Sequence, residues 1–486
     1  MKSTVRLILL WLASSLLLSA APLAWQEFSY SYTDANRQKV PVPGRSARLT
    51  VPEDYGKPAG ARVELAVFCL PATTATPGAP IVYLHGGPGG SSLEHLESPD
   101  FRALFDALRA QGDVIMFDQR GCGKSTPSFL PVKAPRVQTQ TLASREAFLD
   151  YLSGISTEMR DRLVQAGHDP QQYNIPNSAE DLESLRQALG VDKINVLGHS
   201  YGTQLAQAYA RVHPQSVERM VLAGSRGMDT SRKLPAEADE FLVRIAELAP
   251  ADPAVGAKFP DLLATLDRVL ARLDREPAAV ELEGADGKFT LRVGGYVLRF
   301  IIAKFYLKDP DSFKYLPKLL DELDTGRRPW SLIFNLGQII RGGVSFVWFT
   351  TDAASGVTPA RAQLIARQAG TARLRDAMNF PFPDINRVWG MADLGDAFRA
   401  PVETAVPTLF VAGTLDGITP VAQTREIMKG FSASRLLVVE NGGHDSQFRG
   451  AGVAVAIAGF YAGQTPPEKI ALPRVEFMPL IAQRKN

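Results

Sequence analysis

The chain of 486 residues has only two cysteines, Cys69 and Cys122, so neither a disulfide framework nor a cysteine-built metal site is open to it. It has almost no charge excess: Lys and Arg number 53, Asp and Glu 51, for a formal net charge of +2. That balance argues against a basic nucleic-acid surface and against an acidic solvating tail. Beyond the N-terminus no apolar run reaches the roughly 18 uninterrupted residues that suggest a membrane span. The nearest stretch, residues 330–349, is broken by Asn335, Gln338 and Arg341. There is no internal repeat and no long low-complexity run. What is present is ordinary for a globular protein, 45% hydrophobic and 21% charged, enough to bury a sizeable core. The 40 Gly and 34 Pro point to many turns.

The N-terminus has the pattern of an export signal. Lys2 and Arg6 precede an apolar stretch at residues 7–18, which is followed by the small residues Ser19, Ala20 and Ala21. Pro22 would hinder cutting directly after Ala21, which leaves cleavage after Ala24 open. The expected leader is therefore residues 1–24, with an exported protein, periplasmic or secreted, and no stable membrane insertion after cleavage. The alternative is an uncleaved N-terminal membrane anchor.

Past the leader, short apolar runs alternate with helical patterns. Residues 48–51 and 63–70 read as strands. Residues 81–84 and 114–117 are apolar runs ending in glycine-rich loops, as central parallel strands buried on both faces do. Residues 101–110 and 142–166 read as helices, and Asn177 or Ser178 as the cap of another that stops at Gly190. Strands are expected at 194–197 and 220–223, with a helix at 205–212 between them. The rhythm stops at 228 and resumes at 408–412 and 436–439. This predicts an α/β fold with a mostly parallel central sheet, helices on both faces and a large, mainly helical insertion. The expected division is core at 25–227, helical cap at 228–400 and core again at 401–486.

The strongest chemical signal is Gly198-His199-Ser200-Tyr201-Gly202, a G-x-S-x-G pattern between a short apolar strand and an amphipathic helix. The turn it requires is so tight that Ser200 is expected in a strained conformation, with no bulk two residues to either side. A serine hydroxyl is a weak nucleophile and needs a base, which in turn needs an orienting acid. Of six histidines only His444, in Asn441-Gly442-Gly443-His444, follows the resumed sheet at a strand's carboxyl end, where active-site groups of such sheets gather. His199 and His85 read as packing and loop-ordering residues, His213 as a helix-end residue, and His95 and His168 as surface residues. The expected acid is Asp416, directly after the strand at 408–412, with Glu440 as the rival carboxylate. The order Ser, Asp, His is that of the α/β-hydrolases. The oxyanion hole is expected from the backbone N–H of Tyr201 and from Gly87, with Gly86 second, in His85-Gly86-Gly87-Pro88-Gly89. No metal or organic cofactor is called for by this chemistry.

These residues resemble the proline iminopeptidase and tripeptidyl aminopeptidase family of serine α/β-hydrolases. The resemblance rests on His85-Gly86-Gly87-Pro88-Gly89-Gly90, on Asp118-Gln119-Arg120-Gly121-Cys122-Gly123-Lys124-Ser125, on the Ser200 elbow, and on the positions of Asp416 and His444. The stretch around Leu49-Thr50-Val51-Pro52 and Val63-Glu64-Leu65-Ala66 is closer to the exported tripeptidyl aminopeptidase branch. The resemblance covers the core and leaves most of the insertion uncovered; in this family the insertion is a cap over the active site. It implies hydrolysis at a free peptide N-terminus, so the expected partner is a peptide or other small acyl substrate. An esterase on the same catalytic residues is the alternative. Glu237, Asp239 and Glu240 are candidates for holding a substrate amine, or else a solvated acidic face. Phe346, Trp348 and Phe349 could line an apolar pocket or form cap core. Asp118 and Arg120 are expected to be structural, and both cysteines free thiols.

Overall fold

The computed structural model describes residues 21–33, 38–97, 99–128, 137–284, 287–341 and 344–480. Most of the expected leader lies outside the described residues. Leu23, near its end, is buried, and its N–H donates to the Ala188 carbonyl at 3.4 Å. No helix among the described residues is long and apolar enough to cross a membrane.

Ten strands form one sheet: β1 (Gln26–Thr33), β2 (Lys39–Pro52), β3 (Arg62–Leu70), β4 (Ile81–Leu84), β5 (Val114–Phe117), β6 (Ile194–His199), β7 (Val217–Ala223), then β10 (Thr408–Gly413), β11 (Ser434–Glu440) and β12 (Lys469–Ala471). Between them in sequence, β8 (Ala278–Gly284) and β9 (Gly287–Val293) make a separate antiparallel hairpin. The sheet order is β1-β2-β3-β5-β4-β6-β7-β10-β11-β12. β1, β2 and β3 are antiparallel to their neighbours, and every pairing from β5 to β12 is parallel.

Side chains on a strand alternate between faces, so a strand covered on both sides must be apolar throughout. β4 does this in four residues. Ile81 and Tyr83 pack with Phe101 and Phe105 of helix Pro99–Leu108 and with Ile457 of helix Ala451–Tyr461. Val82 and Leu84 pack on the other face, with Leu182 and Leu185 of helix Ile175–Ala188 and Leu205 of helix Tyr201–Val212. Burying each such side chain contributes about 1.5–3 kcal/mol.

A third apolar cluster belongs to the insertion. It joins Leu242 and Ile245, Leu266 and Leu270, and Phe349. It also takes in Phe148, Leu149 and Leu152 of helix Arg145–Gln165, which therefore packs with the cap although it precedes residue 228. Three details differ from the sequence reading. The cap of helix Ile175–Ala188 is Asn174, whose side chain accepts from Asn177 N–H. The insertion carries the β8–β9 hairpin, whose inward residues Val280, Leu282, Leu291 and Val293 keep strand period. His95 and His168 are not surface residues: His95 stacks on Phe101 with ring centres 3.8 Å apart, and His168 Nδ1 lies 2.7 Å from Glu53 Oε1. Both cysteines are free and buried.

Candidate active site

Ser200 stands between β6 and helix Tyr201–Val212 with φ 54° and ψ −118°, a positive-φ conformation that is costly for a residue with a side chain. The turn tolerates no bulk beside it. A Cβ on Gly198 would lie 2.7 Å from the Gly202 carbonyl oxygen, and one on Gly202 would lie 2.0 Å from the Leu84 carbonyl oxygen. Ser200 N–H donates to Ala223 O at 3.0 Å, which ties the turn to the end of β7. Its hydroxyl makes no hydrogen bond to any described residue.

The base and acid candidates are in contact. His444 Nδ1 lies 2.8 Å from Asp416 Oδ2, with both side chains buried. Asp416 also accepts from the N–H groups of Ile418 (2.8 Å) and Thr419 (2.9 Å) and from the Thr419 hydroxyl (2.6 Å). Burial alone would push this carboxyl up. The neighbouring His444 and the Thr419 bonds outweigh burial and hold it below the ordinary carboxylate range. Asp416 is thus an anion fitted to fix the imidazole with its proton on Nδ1. His444 comes close to the elbow through Gly224: a Cβ there would lie 3.0 Å from His444 Cε1, one residue after the carbonyl that binds Ser200 N–H. A direct Ser200–His444 hydrogen bond is not formed. Glu440, the rival acid, instead pairs with Lys469 at 2.6 Å.

Gly87 (φ 116°) and Ser200 line one cavity of about 110 Å³. A Cβ on Gly86 would lie 2.8 Å from Ser200 Cβ. Neither Gly87 N–H nor Tyr201 N–H donates to a described residue, so both are free to meet an oxygen held above Ser200. Trp348 lines the same cavity, whereas Phe346 and Phe349 stack on Trp389 as cap core, ring centres 6.3 and 6.1 Å away. Glu237, Asp239 and Glu240 are not among the cavity's lining residues; they lie on helix Pro235–Leu248, where Asp239 accepts from Arg373 N–H at 3.1 Å.

Sequence reasoning missed the supports of the base. The cap segment Leu307-Lys308-Asp309 touches the loops that carry both the acid and the base candidate. Leu307 O accepts from Gly417 N–H (2.9 Å) and Lys308 O from His444 N–H (2.8 Å). The Asp309 carboxylate accepts from the N–H groups of Asp445 and Ser446, both at 2.9 Å. His199 Nε2 lies 3.1 Å from the His444 carbonyl oxygen, and burial pushes the His199 imidazole down to about 3, so it stays neutral and donates there. No local pattern announces these contacts, since Asp309 and His444 belong to different parts of the chain. Asp309→Ala is expected to leave the fold intact and to lower kcat about 10–100-fold with little change in KM, because it loosens the His444 loop. Steady-state kinetics check this; an unchanged kcat would remove the positioning role.

Among the described residues one group has metal-ligand spacing: His199, His444 and Asp445 offer atoms within 4.8 Å of one another. Each of the three residues is tied to the protein through one atom, His199 Nε2 on the His444 carbonyl, His444 Nδ1 on Asp416 and Asp445 Oδ2 on Lys308 at 2.5 Å, whereas His199 Nδ1 and Asp445 Oδ1 have no hydrogen-bond partner among the described residues.

Comparison with known proteins agrees with this fold. The α/β-hydrolase fold family matches residues 79–265, and a family described as TAP-like protein matches residues 387–469. The tripeptidyl aminopeptidase of Streptomyces coelicolor is 33% identical over 197 residues, covering 38% of this chain and 35% of that protein. The serine protease Hip1 of Mycobacterium tuberculosis is 31% identical over 215 residues, covering 42% of this chain and 41% of that protein. The proline iminopeptidase of Heyndrickxia coagulans is 27% identical over 213 residues, covering 42% of this chain and 57% of that protein. The matched stretch thus spans about a third to a little over half of these relatives.

Proposed function

From the premise that the chain belongs to the α/β-hydrolase fold family, with a TAP-like C-terminal part, we propose that it is an exported serine aminopeptidase, releasing N-terminal residues or short peptides through an acyl-enzyme. The observation that carries the reading is the constellation at one end of the sheet: a strained Ser200 with an unbonded hydroxyl beside two free amides, with a buried His444–Asp416 pair close by.

In this reading Ser200 Oγ attacks the scissile carbonyl carbon and passes its proton to His444 Nε2. Asp416 stabilises the imidazolium and fixes its orientation. The carbonyl oxygen, now negative, is held by the N–H groups of Gly87 and Tyr201. Collapse of this intermediate breaks the C–N bond, and His444 returns the proton to the leaving amine. Water, activated by His444, then releases the acyl group and restores Ser200. Relatives named as peptidases favour an amide substrate, and peptide is therefore the expected partner; an esterase on the same residues is the other outcome of the test.

The test compares aminoacyl and tripeptidyl arylamides with free N-termini, the same compounds N-acetylated, and short-chain aryl esters. Turnover of the free-amine amides that falls at least about tenfold on acetylation is expected, since a lost charged hydrogen bond removes roughly 1.5–3 kcal/mol. Ester turnover alone, or indifference to acetylation, would replace the aminopeptidase reading with a general acyl hydrolase.

A further inference from the structure

The cavity that holds Ser200 has an unusual charge. Arg226, Lys233 and Lys304 line it, and Asp352 is the one carboxylate among the described lining residues. Asp352 is already committed, in a buried ion pair with Arg226. Lys233 has no carboxylate of its own among the lining residues; Glu237 and Asp416 act on it from outside that lining, and neither bonds its Nζ. Its Nζ is buried and has no hydrogen-bond partner among the described residues. Its backbone is pinned, with its N–H donating to Asn379 Oδ1 at 2.6 Å and its carbonyl accepting from Asn379 Nδ2 at 2.8 Å. Lys304 is exposed, its ammonium 4.5 Å from the centre of the Trp348 ring, and Trp348 is another lining residue.

A buried ammonium without a partner is expensive, and either loses its proton or waits for an anion. Burial, reinforced by Arg226 and only partly opposed by Glu237, pushes Lys233 down to about 7. A carboxylate entering the cavity would restore that charge and supply the missing hydrogen-bond acceptor. A substrate ammonium placed there would meet the opposite field.

We propose that the cavity recognises a carboxylate on the acyl side of the scissile bond, through Lys233 and Lys304. The substrates are then peptides with an acidic residue just before the cleaved bond, or acyl groups carrying a free acid. The proposal rests on Ser200 as nucleophile and names the substrate class of that site.

The test uses two matched sets. One is tripeptidyl arylamides with free N-termini that differ only in Glu, Gln or Lys before the scissile bond. The other is the 4-nitrophenyl ester of glutaric acid against that of its monomethyl ester. Glu is expected to exceed Gln by about tenfold or more in kcat/KM, expressed mainly in KM, with Lys below Gln. Lys233→Met should bring the Glu-to-Gln ratio close to one, and Lys233→Arg should recover part of it. A preference in the peptide set alone assigns an acidic residue, and one in the ester set alone assigns a dicarboxylic half-acid. A ratio of one or below in both sets overturns the proposal. Calorimetric titration of glutarate reads the cavity without turnover. Binding to the wild type that weakens about tenfold in Lys233→Met supports the proposal, and no binding to the wild type sinks it. Should Ser200→Ala turn over these substrates as the wild type does, the nucleophile assignment falls, and the titration alone decides what the cavity binds.

Discussion

Replacing Ser200 by Ala is expected to lower kcat by about 10⁴-fold or more while the protein stays folded, because the nucleophile and its base act as a unit. The fold should survive for a local reason. The Ser200 hydroxyl bonds to no described residue, and what holds the turn is backbone: Ser200 N–H on Ala223 O at 3.0 Å and Thr203 N–H on Ser200 O at 3.0 Å. Alanine keeps those bonds and meets the same positive φ that serine already bears. Ala and wild type should therefore melt within about 2 °C of each other, since surface-like changes that lose no contact stay within roughly 0.5 kcal/mol. Two readouts check the expectation: turnover of the arylamide and ester panel, and labelling by a fluorophosphonate probe, which should disappear in the variant. Retention of a tenth of the activity or more would mean that another group attacks the carbonyl.

The largest effect on stability is expected at Arg120. Its side chain is buried, and its guanidinium holds both oxygens of Asp181, at 2.7 and 2.6 Å. It also donates to the carbonyls of Glu53 (2.7 Å), Gln172 (2.8 Å) and Pro52 (3.3 Å). One side chain thus ties the end of β2, the turn at 172 and helix Ile175–Ala188 together. Arg120→Met removes the cation and leaves the buried Asp181 carboxylate without it, a loss of about 3–5 kcal/mol. The denaturant midpoint should fall accordingly. Arg120→Met with Asp181→Leu should recover part of the loss, because no charge is then stranded. A fall of less than about 1 kcal/mol for the single variant, the size of an exposed pair, would show that the burial argument is wrong. The same segment supports the loop that carries the oxyanion-hole candidate Gly87, since Gln119 Nε2 donates to His85 O at 3.1 Å. The destabilised variant should accordingly lose activity at temperatures where its melting has not begun.

The elements that could be read from the chain were those whose signal is local. β4 and β5 are short apolar runs closed by glycine-rich loops, and their observed bounds are the ones the pattern marks. The elbow is legible because the strain at Ser200 and the missing bulk at Gly198 and Gly202 are written in five consecutive residues. The β8–β9 hairpin was also legible, in the alternation of Val280 and Leu282 with Leu291 and Val293, but the helical patterns around it hid the change of period. The cap of helix Ile175–Ala188 lies at Asn174, ahead of Asn177 and Ser178, which are equally good capping types. The nearby Pro176, well placed in a first helical turn, was the discriminating sign.

The amino-acid sequence by itself determined the fold class, the nucleophile candidate and the chain order of acid and base candidates, because each follows from periodicity or from turn chemistry within a few residues. Tertiary structure alone decided the rest. It paired the base candidate His444 with the acid candidate Asp416 at 2.8 Å and sent Glu440 to Lys469. It brought Leu307-Lys308-Asp309 of the cap onto the loops that carry the acid and base candidates. It consumed the charge of Asp352 on Arg226 and left the Lys233 Nζ without a hydrogen-bond partner among the described residues. The physical reason is common to all three. Whether a charge is free or spent depends on which partner folding brings within about 3 Å, and partners many residues apart leave no trace in local sequence.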